Sequence, residues 1–157
     1  LMEKFLQYLE EAQKITRAID HMLYVTFPLI KDKRLLFKVL SESKKAIAYC
    51  INAILQYEYL YKRIRLYEDA KSNFRTFRDK CTKKYNILGN ETRAILDLFE
   101  IVERHKESSF EFIKNDKVIM LSENMKQKEI SFEKTKEFLL LAKSILQKTK
   151  NGINPHF

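Results

Sequence analysis

The stretch of residues 32–64 contains neither glycine nor proline, and this absence constrains the fold more than any other feature of the chain. Its apolar residues recur mostly at steps of three and four, the spacing of one face of an α-helix. They are Leu36, Val39, Leu40, Ala46, Ile47, Cys50, Ile51, Ile54 and Leu60. The pattern predicts one long helix that follows an Asp32 N-cap and ends near Arg65. Such a helix would be roughly 48 Å long and would span the domain.

The rest of the chain is equally poor in residues that break helices, since 157 residues include two glycines and two prolines. The hydrophobic fraction of 45% is far above that of disordered chains. A chain of this length forms one ordinary domain and buries its core without disulfides or metals. We therefore predict an all-α fold, a single bundle of about five helices over residues 1–150 with a frayed tail at residues 151–157.

Capping residues and breaks divide the chain into its predicted elements. The predicted helices are residues 2–27, 32–65, 67–85, 91–106 and 132–148. Pro28 stops the first helix or begins a turn, Gly89 and Asn90 provide a C-cap and the next N-cap, and Ser131 caps the last helix. Residues 117–121 and 126–130 flank the tetrapeptide SENM and predict a small β-hairpin before the last helix.

The chain is strongly basic, with 30 Lys and Arg against 21 Asp and Glu and a net charge of +9. A surplus of this size commonly attracts nucleic acid, an anionic membrane or an acidic protein. The alternative is that the charge only keeps a small basic protein in solution. Because the longest apolar run is about half of a membrane span and is cut by Pro28, we expect no membrane partner.

Cations and tyrosines are mixed at the end of the long predicted helix and along the next one, which favours nucleic-acid binding. RNA is favoured over DNA because exposed tyrosines beside cations suit unpaired bases. Six cations would hold phosphates, and two tyrosines would stack on bases. They are Lys62, Arg63, Arg65, Lys71, Arg75 and Arg78, with Tyr59 and Tyr61. In the alternative, the basic side chains only lay their aliphatic stems over a hydrophobic seam.

The same Tyr-rich end supports a second hypothesis from a different class. Tyr and Arg are also the residues that anchor protein interfaces. The protein would then be an interaction or assembly module that forms a homodimer or binds a protein partner through this end of the helix.

Catalysis has little support in the sequence. Arg17, Asp20, His21 and Tyr24 fall at i, i+3, i+4 and i+7, so their side chains could meet and perform acid/base chemistry. A satisfied polar cluster at a helix end is the more ordinary explanation. The sequence contains no glycine-rich phosphate loop, HExxH or GxSxG motif, and we expect no metal and no cofactor.

Neither cysteine belongs to a CxxC pair or a Cys/His cluster. Cys50 and Cys81 lie in separate apolar stripes and are predicted to be reduced core residues of a cytoplasmic protein.

Two segments resemble conserved uncharacterised helical proteins of small-genome archaea, namely ITRAIDHMLYVTFPLIKDKRLL and AILQYEYLYKRIRLY. A more distant likeness is to HEPN domains, helical bundles of similar size, some of which are RNases with an Arg, four to six residues, and a His. Here Arg17 and His21 have three residues between them, and Arg104 is adjacent to His105. The resemblance therefore implies a non-catalytic RNA-binding or dimerising protein, with an RNase that uses Arg17 and His21 as a weaker alternative.

Overall fold

A computed structural model describes residues 3–107, 110–114, 117–121 and 127–153 of the chain. The helices are α1 Lys4–His21, α2 Phe27–Ile30, α3 Arg34–Leu60, α4 Ala70–Thr76, α5 Gly89–Glu107 and α6 Phe132–Ile153. Two π-helical segments, Met22–Thr26 and Phe77–Cys81, continue α1 into α2 and extend α4. The strands are β1 Phe110–Lys114, β2 Lys117–Leu121 and β3 Gln127–Ser131. The predicted all-α bundle is confirmed.

Helix α3 is the central helix of the bundle and packs against α1, α5 and α6. Eight of the nine apolar residues predicted to lie on its inner face are buried, while Leu60 is half exposed. The α3 residues meet apolar side chains from the other helices, including Ile19, Leu98, Leu139 and Ile145. Each fully buried aliphatic side chain stabilises the fold by about 1.5–3 kcal/mol before entropy is counted.

The first predicted helix does not stop at Pro28, and the prediction was wrong on this point. The chain remains helical through the π segment and α2 until Lys31, which adopts a left-handed conformation with φ 56°. In the π segment the Phe27 N–H donates to the Met22 carbonyl, five residues back. This wider turn rearranges the hydrogen bonds next to Pro28, which has no N–H to donate, so the proline is accommodated near the start of α2.

Helix α3 ends at Leu60, five residues before the predicted end near Arg65. Lys62 takes the left-handed conformation with φ 62°, and the Arg63 N–H donates to the Glu58 carbonyl at 3.0 Å. Beyond this turn Ile64 and Leu66 pack against the core. Partial burial of these two side chains favours the turn over the continued helix that the periodicity at residues 61–65 predicts. Helix α3 is about 40 Å long rather than 48 Å.

The next helical segment is shorter than the predicted 67–85. Asp69 is its N-cap and accepts a hydrogen bond from the Ser72 N–H at 2.8 Å. The π segment ends at Cys81, and Asn86 has a φ of 57°.

The caps predicted before α5 were also wrong. Gly89 is the first residue of α5 and has no positive φ. The cap is made by Glu91, whose side chain accepts a hydrogen bond from the Leu88 N–H at 3.0 Å. Asn90 lies inside the helix.

The three strands form one antiparallel sheet in the order β1-β2-β3. The predicted hairpin corresponds to β2 and β3, which pair with Val118 opposite Ile130. Strand β1 was not predicted, and Lys126 of the predicted second strand lies outside the described residues. The sheet leads into α6, and the Ser131 hydroxyl caps that helix by accepting from the Lys134 N–H at 3.1 Å, as predicted.

Helix α6 continues to Ile153, which is buried, so residues 151–153 of the predicted frayed tail are helical. Gly152 lies against the ring of Tyr85. Residues 154–157 lie outside the described part of the chain. None of the described helices has a segment long and apolar enough to cross a bilayer.

Replacement of Gly152 by alanine should destabilise the fold. The new Cβ would overlap atoms Cδ2 and Cε2 of Tyr85, a buried ring with little room to move. Overpacking of this kind costs about 1–3 kcal/mol. Urea denaturation of Gly152→Ala should therefore show a lower free energy of unfolding than the parent chain.

The matched control is Gly89→Ala, because both glycines are helical. A Cβ at residue 89 would meet only the end of the Arg93 side chain, at 3.5 Å. Alanine favours a helix over glycine, so this variant should be unchanged or up to about 1 kcal/mol more stable. Equal stability of the two variants would contradict the packing of Gly152 on Tyr85.

Both cysteines are buried and free, and burial makes stability fall at high pH. Burial raises the pKa of Cys50 from 9.0 to about 12 and that of Cys81 from 9.0 to about 11. Above pH 9 the unfolded chain therefore loses these protons first, so the stability present below pH 9 is lost progressively up to about pH 11. Each thiol contributes a slope of about 1.4 kcal/mol per pH unit. Urea titrations between pH 8 and 10.5 should show a shallower loss in Cys81→Ala, and equal slopes would refute this account.

Candidate nucleic-acid interface

A groove of about 640 Å³ opens on the surface between α3, α4 and α5, and we call it the α3–α5 groove. Its floor is apolar and combines side chains from all three helices. These are Ala48, Ile51 and Leu55 from α3, Phe74 from α4, and Leu96 and Phe99 from α5. Leu96 is 45% exposed, and Phe74 and Phe99 are partly buried. The groove is thus an accessible apolar surface of the size that accommodates a small ligand or one residue of a polymer.

Three of the predicted phosphate-binding cations line this groove. Lys71, Arg75 and Arg78 follow one another at i, i+4 and i+7 along α4 and its π extension, so they lie on one side of that segment. The segment is anchored by Phe77, which is fully buried. The cations are therefore carried by a fixed backbone beside the apolar floor.

The three cations differ in whether an acidic side chain of the protein already binds them. Lys71 and Arg75 are exposed and form no ion pair with any residue in the described part of the chain. Arg78 donates from Nε to the Asp79 carboxylate at 2.9 Å. That hydrogen bond holds the pKa of Asp79 below its usual value, with further help from the charge of Arg75. Lys71 and Arg75 thus provide most of the available positive charge.

The remaining polar groups in the groove are one carboxylate and two amides. Glu68 adds a negative charge that would oppose an anionic ligand. The amide of Asn73 is used by the protein, since it accepts from the Tyr67 N–H and donates to the Tyr67 carbonyl, both at 2.8 Å. The amide of Asn52 has no hydrogen-bond partner among the described residues.

The other predicted site residues lie outside the α3–α5 groove, around the turn after α3. Arg63 is held by Glu58, which is 3% exposed and accepts from Arg63 Nη2 at 2.6 Å. The Arg63 guanidinium also lies 4.9 Å from the ring centre of Tyr61. Lys84 binds the same carboxylate at 2.7 Å. Arg63 therefore stabilises the turn and is not available for a phosphate in this arrangement.

Two of these residues, Tyr59 and Lys62, lie beside a separate concavity of about 470 Å³. Tyr59 and Lys62 line it together with Phe5 near the start of α1. Arg65 is exposed, with its guanidinium 5.7 Å from the ring centre of Tyr67. The eight predicted residues therefore form two groups. Leu55 of the groove and Tyr59 are four residues apart on α3, so one helical turn connects the groups.

Arg17, Asp20, His21 and Tyr24 do not form the acid/base cluster that their spacing allowed, because Asp20 contacts α6 instead. Asp20 pairs with Lys143 of α6, and the same Lys143 ammonium lies 5.7 Å from the ring centre of Tyr24. Arg17 and His21 are exposed and make no hydrogen bond or ion pair with the described residues. Asp20 thus has a structural partner, and no acid/base cluster is assembled by contacts within the described chain.

The other histidine named in the sequence comparison, His105, has a packing role. The His105 ring stacks on Phe37 with the ring centres 4.0 Å apart, which is a packing contact in addition to its place in the last turn of α5. In the part of the chain that the structure describes, no three His, Cys, Asp or Glu side chains converge as metal ligands.

Sequence reasoning did not find the floor of the groove. None of Asn52, Phe74, Leu96 and Phe99 was among the predicted site residues. Whether these side chains are accessible depends on how far apart α3, α4 and α5 pack. The apolar pattern along a single helix does not predict the distance between helices. The pairing of Phe with nearby Lys and Arg was the available sequence signal.

Comparisons of the chain with protein-family models, with curated proteins and with solved structures find no match. The fold and the site define the protein as an all-α bundle that carries a surface groove with an apolar floor and a basic side.

Proposed function

We propose that the protein binds RNA without catalysis, with the α3–α5 groove as the principal contact. The observation that carries this proposal is the placement of Lys71 and Arg75, two exposed cations that form no ion pair with the described residues, in the lining of the groove that also contains Phe74 and Phe99. Cations next to aromatic rings are the combination that binds a single strand, because the cations attract phosphates and the rings stack on bases.

The electrostatic part of the proposal depends on charge that the protein does not neutralise itself. Many cations elsewhere on the fold are paired with acidic side chains. The described pairs include Lys44–Glu103, Lys134–Asp97, Lys148–Glu91 and Lys84–Glu58. Because Lys71 and Arg75 have no such partner in the described part of the chain, they are better placed to exchange bound counterions for phosphates.

The aromatic part of the proposal favours unpaired RNA over duplex DNA. The centres of the Phe74 and Phe99 rings are 6.2 Å apart at the base of the groove. A base must leave its stack to reach them, which a single strand permits at low cost. Tyr59 lies one helical turn beyond Leu55 of the groove lining, so a strand that leaves the groove toward that end of α3 would stack a second base on this tyrosine.

Reversal of charge at the groove should weaken RNA binding. Lys71→Glu/Arg75→Glu removes two phosphate contacts and adds repulsion, so we expect at least a tenfold higher Kd for single-stranded RNA, roughly 1.4 kcal/mol. The slope of log K against log salt should also fall by about 0.7 for each lost contact. Fluorescence anisotropy with a labelled oligonucleotide at about 50 mM and about 200 mM salt measures both quantities.

The matched control is Lys14→Glu/Arg17→Glu, which makes the same change of net charge on two exposed residues of α1. It should weaken binding much less, because those residues do not line the groove. Glu68→Gln gives the opposite test, since loss of its negative charge should tighten binding by about twofold. If both double variants weaken binding equally, the net charge rather than the groove is responsible. No binding of the parent chain at low salt would refute the RNA proposal.

A second candidate function is self-assembly through the Tyr-rich end of α3. Tyr59, Leu60 and Tyr61 are consecutive and are 52%, 51% and 55% exposed. Exposed tyrosine and leucine next to a concavity are typical of a surface that pairs with another protein. A homodimer is the simplest such assembly, because an isologous contact uses one surface twice.

Self-assembly predicts a protein of twice the chain mass in sedimentation equilibrium. Leu60→Arg should return it to a monomer, because a buried unpaired charge strongly opposes association. The control is Leu88→Arg, at a leucine that is 56% exposed and lies before α5. A parent chain that sediments as a monomer at the highest attainable concentration would exclude this assembly.

A further inference from the structure

We propose that an apolar tip at the end of α2 binds the surface of an anionic membrane. The α2 tip consists of Tyr24 and Val25 in the π segment and Leu29 and Ile30 in α2, and all four side chains are exposed. Leu29 is 81% and Ile30 is 62% exposed, the two highest values among the large hydrophobic residues that the structure describes. Clustered exposed apolar side chains mark a surface that contacts a partner. The tip does not line the α3–α5 groove, so this inference is independent of RNA binding.

The fold holds the α2 tip in solvent through the residues that alternate with it. Leu23 and Phe27 are buried on the side of the segment that faces the core. The Phe27 ring stacks on Phe132 of α6 with the ring centres 5.6 Å apart. Lys31 then takes the left-handed conformation and ends the helix directly after Ile30. While these contacts hold, the four apolar side chains cannot turn inward.

The charge around the α2 tip is positive. The segment of residues 17–34, which contains the tip, has four Lys and Arg residues. Its two acids, Asp20 and Asp32, each already bind a cation. Lys31 follows the apolar residues directly, is exposed and forms no ion pair with the described residues. The partner of this surface must therefore accept apolar side chains and carry negative charge.

These two requirements favour an anionic bilayer over the other classes of partner. The aliphatic side chains of the tip do not stack on bases, so RNA would gain little from them. In an isologous contact a second copy of the chain would place its own Lys31 near the first, and like charges oppose that pairing.

A bilayer also suits the shape of the tip. An acidic protein would need a pocket that matches the protruding side chains, whereas a bilayer takes them up without one. Its anionic headgroups attract the flanking cations at the same time. Binding at the surface needs no membrane span, and the length of a span was the basis of our expectation that the protein has no membrane partner.

Sedimentation of the full chain with sucrose-loaded vesicles tests this inference. Vesicles of equal parts phosphatidylcholine and phosphatidylglycerol should bind the protein at low salt, and vesicles of phosphatidylcholine alone should bind it at least about fivefold less. Leu29→Ser/Ile30→Ser should lower the partition coefficient on the anionic vesicles at least about tenfold, because two apolar side chains no longer enter the bilayer. Lys31→Gln should lower it about fivefold, because one cation is lost.

The comparison variant is Leu88→Ser/Leu140→Ser, at two leucines outside the tip that are 56% and 50% exposed. It should bind the anionic vesicles as the parent chain does. Leu29→Ser/Ile30→Ser leaves the net charge unchanged, so equal binding of this variant and the parent would show that charge alone attracts the protein and would overturn the role of the tip. Absence of the parent chain from the pelleted anionic vesicles would overturn the membrane partner itself. Both double variants change exposed side chains and should fold, which far-UV circular dichroism checks.

Discussion

The burial of α3 is the interaction on which the rest of the structure depends. Helices α1, α5 and α6 all pack against it, and its inner residues from Leu36 to Leu55 are almost fully excluded from solvent. A helix that is covered on several sides leaves few surfaces on which a ligand could reach it. The α3–α5 groove is one of these surfaces, because α4 is short and leaves the exposed Asn52 of α3 open beside it, while Ile51 and Leu55, which also line the groove, stay buried.

Periodicity predicted the fold well where burial and helix propensity agree. The inner face of α3, the Ser131 cap and the class of the fold could all be read from the chain. The predictions failed where a distant contact decides the local conformation. Helix α3 stops early because Ile64 and Leu66 pack on the core, and α6 runs on because Ile153 is buried. Neither contact is visible in a local pattern.

In the candidate site too, the local pattern predicted some features, and tertiary contacts decided the others. The spacing of Lys71, Arg75 and Arg78 predicted that these cations share one side of a helix, and all three line the groove. The spacing did not distinguish them from Arg63, which the fold uses as the partner of Glu58. Whether a cation is free depends on the acidic side chains that tertiary packing brings near it. For the same reason, the groove itself could only be seen after three helices were placed together.

The segment between α3 and α4 is tied at both ends, and this has a consequence for how a ligand would bind. Glu58 holds Arg63 on one side, and Asn73 holds the backbone of Tyr67 on the other. The backbone that leads into the basic side of the groove is therefore preorganised, so little backbone entropy is lost when a ligand arrives, although the free side chains of Lys71 and Arg75 still have to be ordered. Association should be governed by diffusion and electrostatic steering rather than by a slow rearrangement of the protein, and differences among ligands should appear mainly in their rates of dissociation.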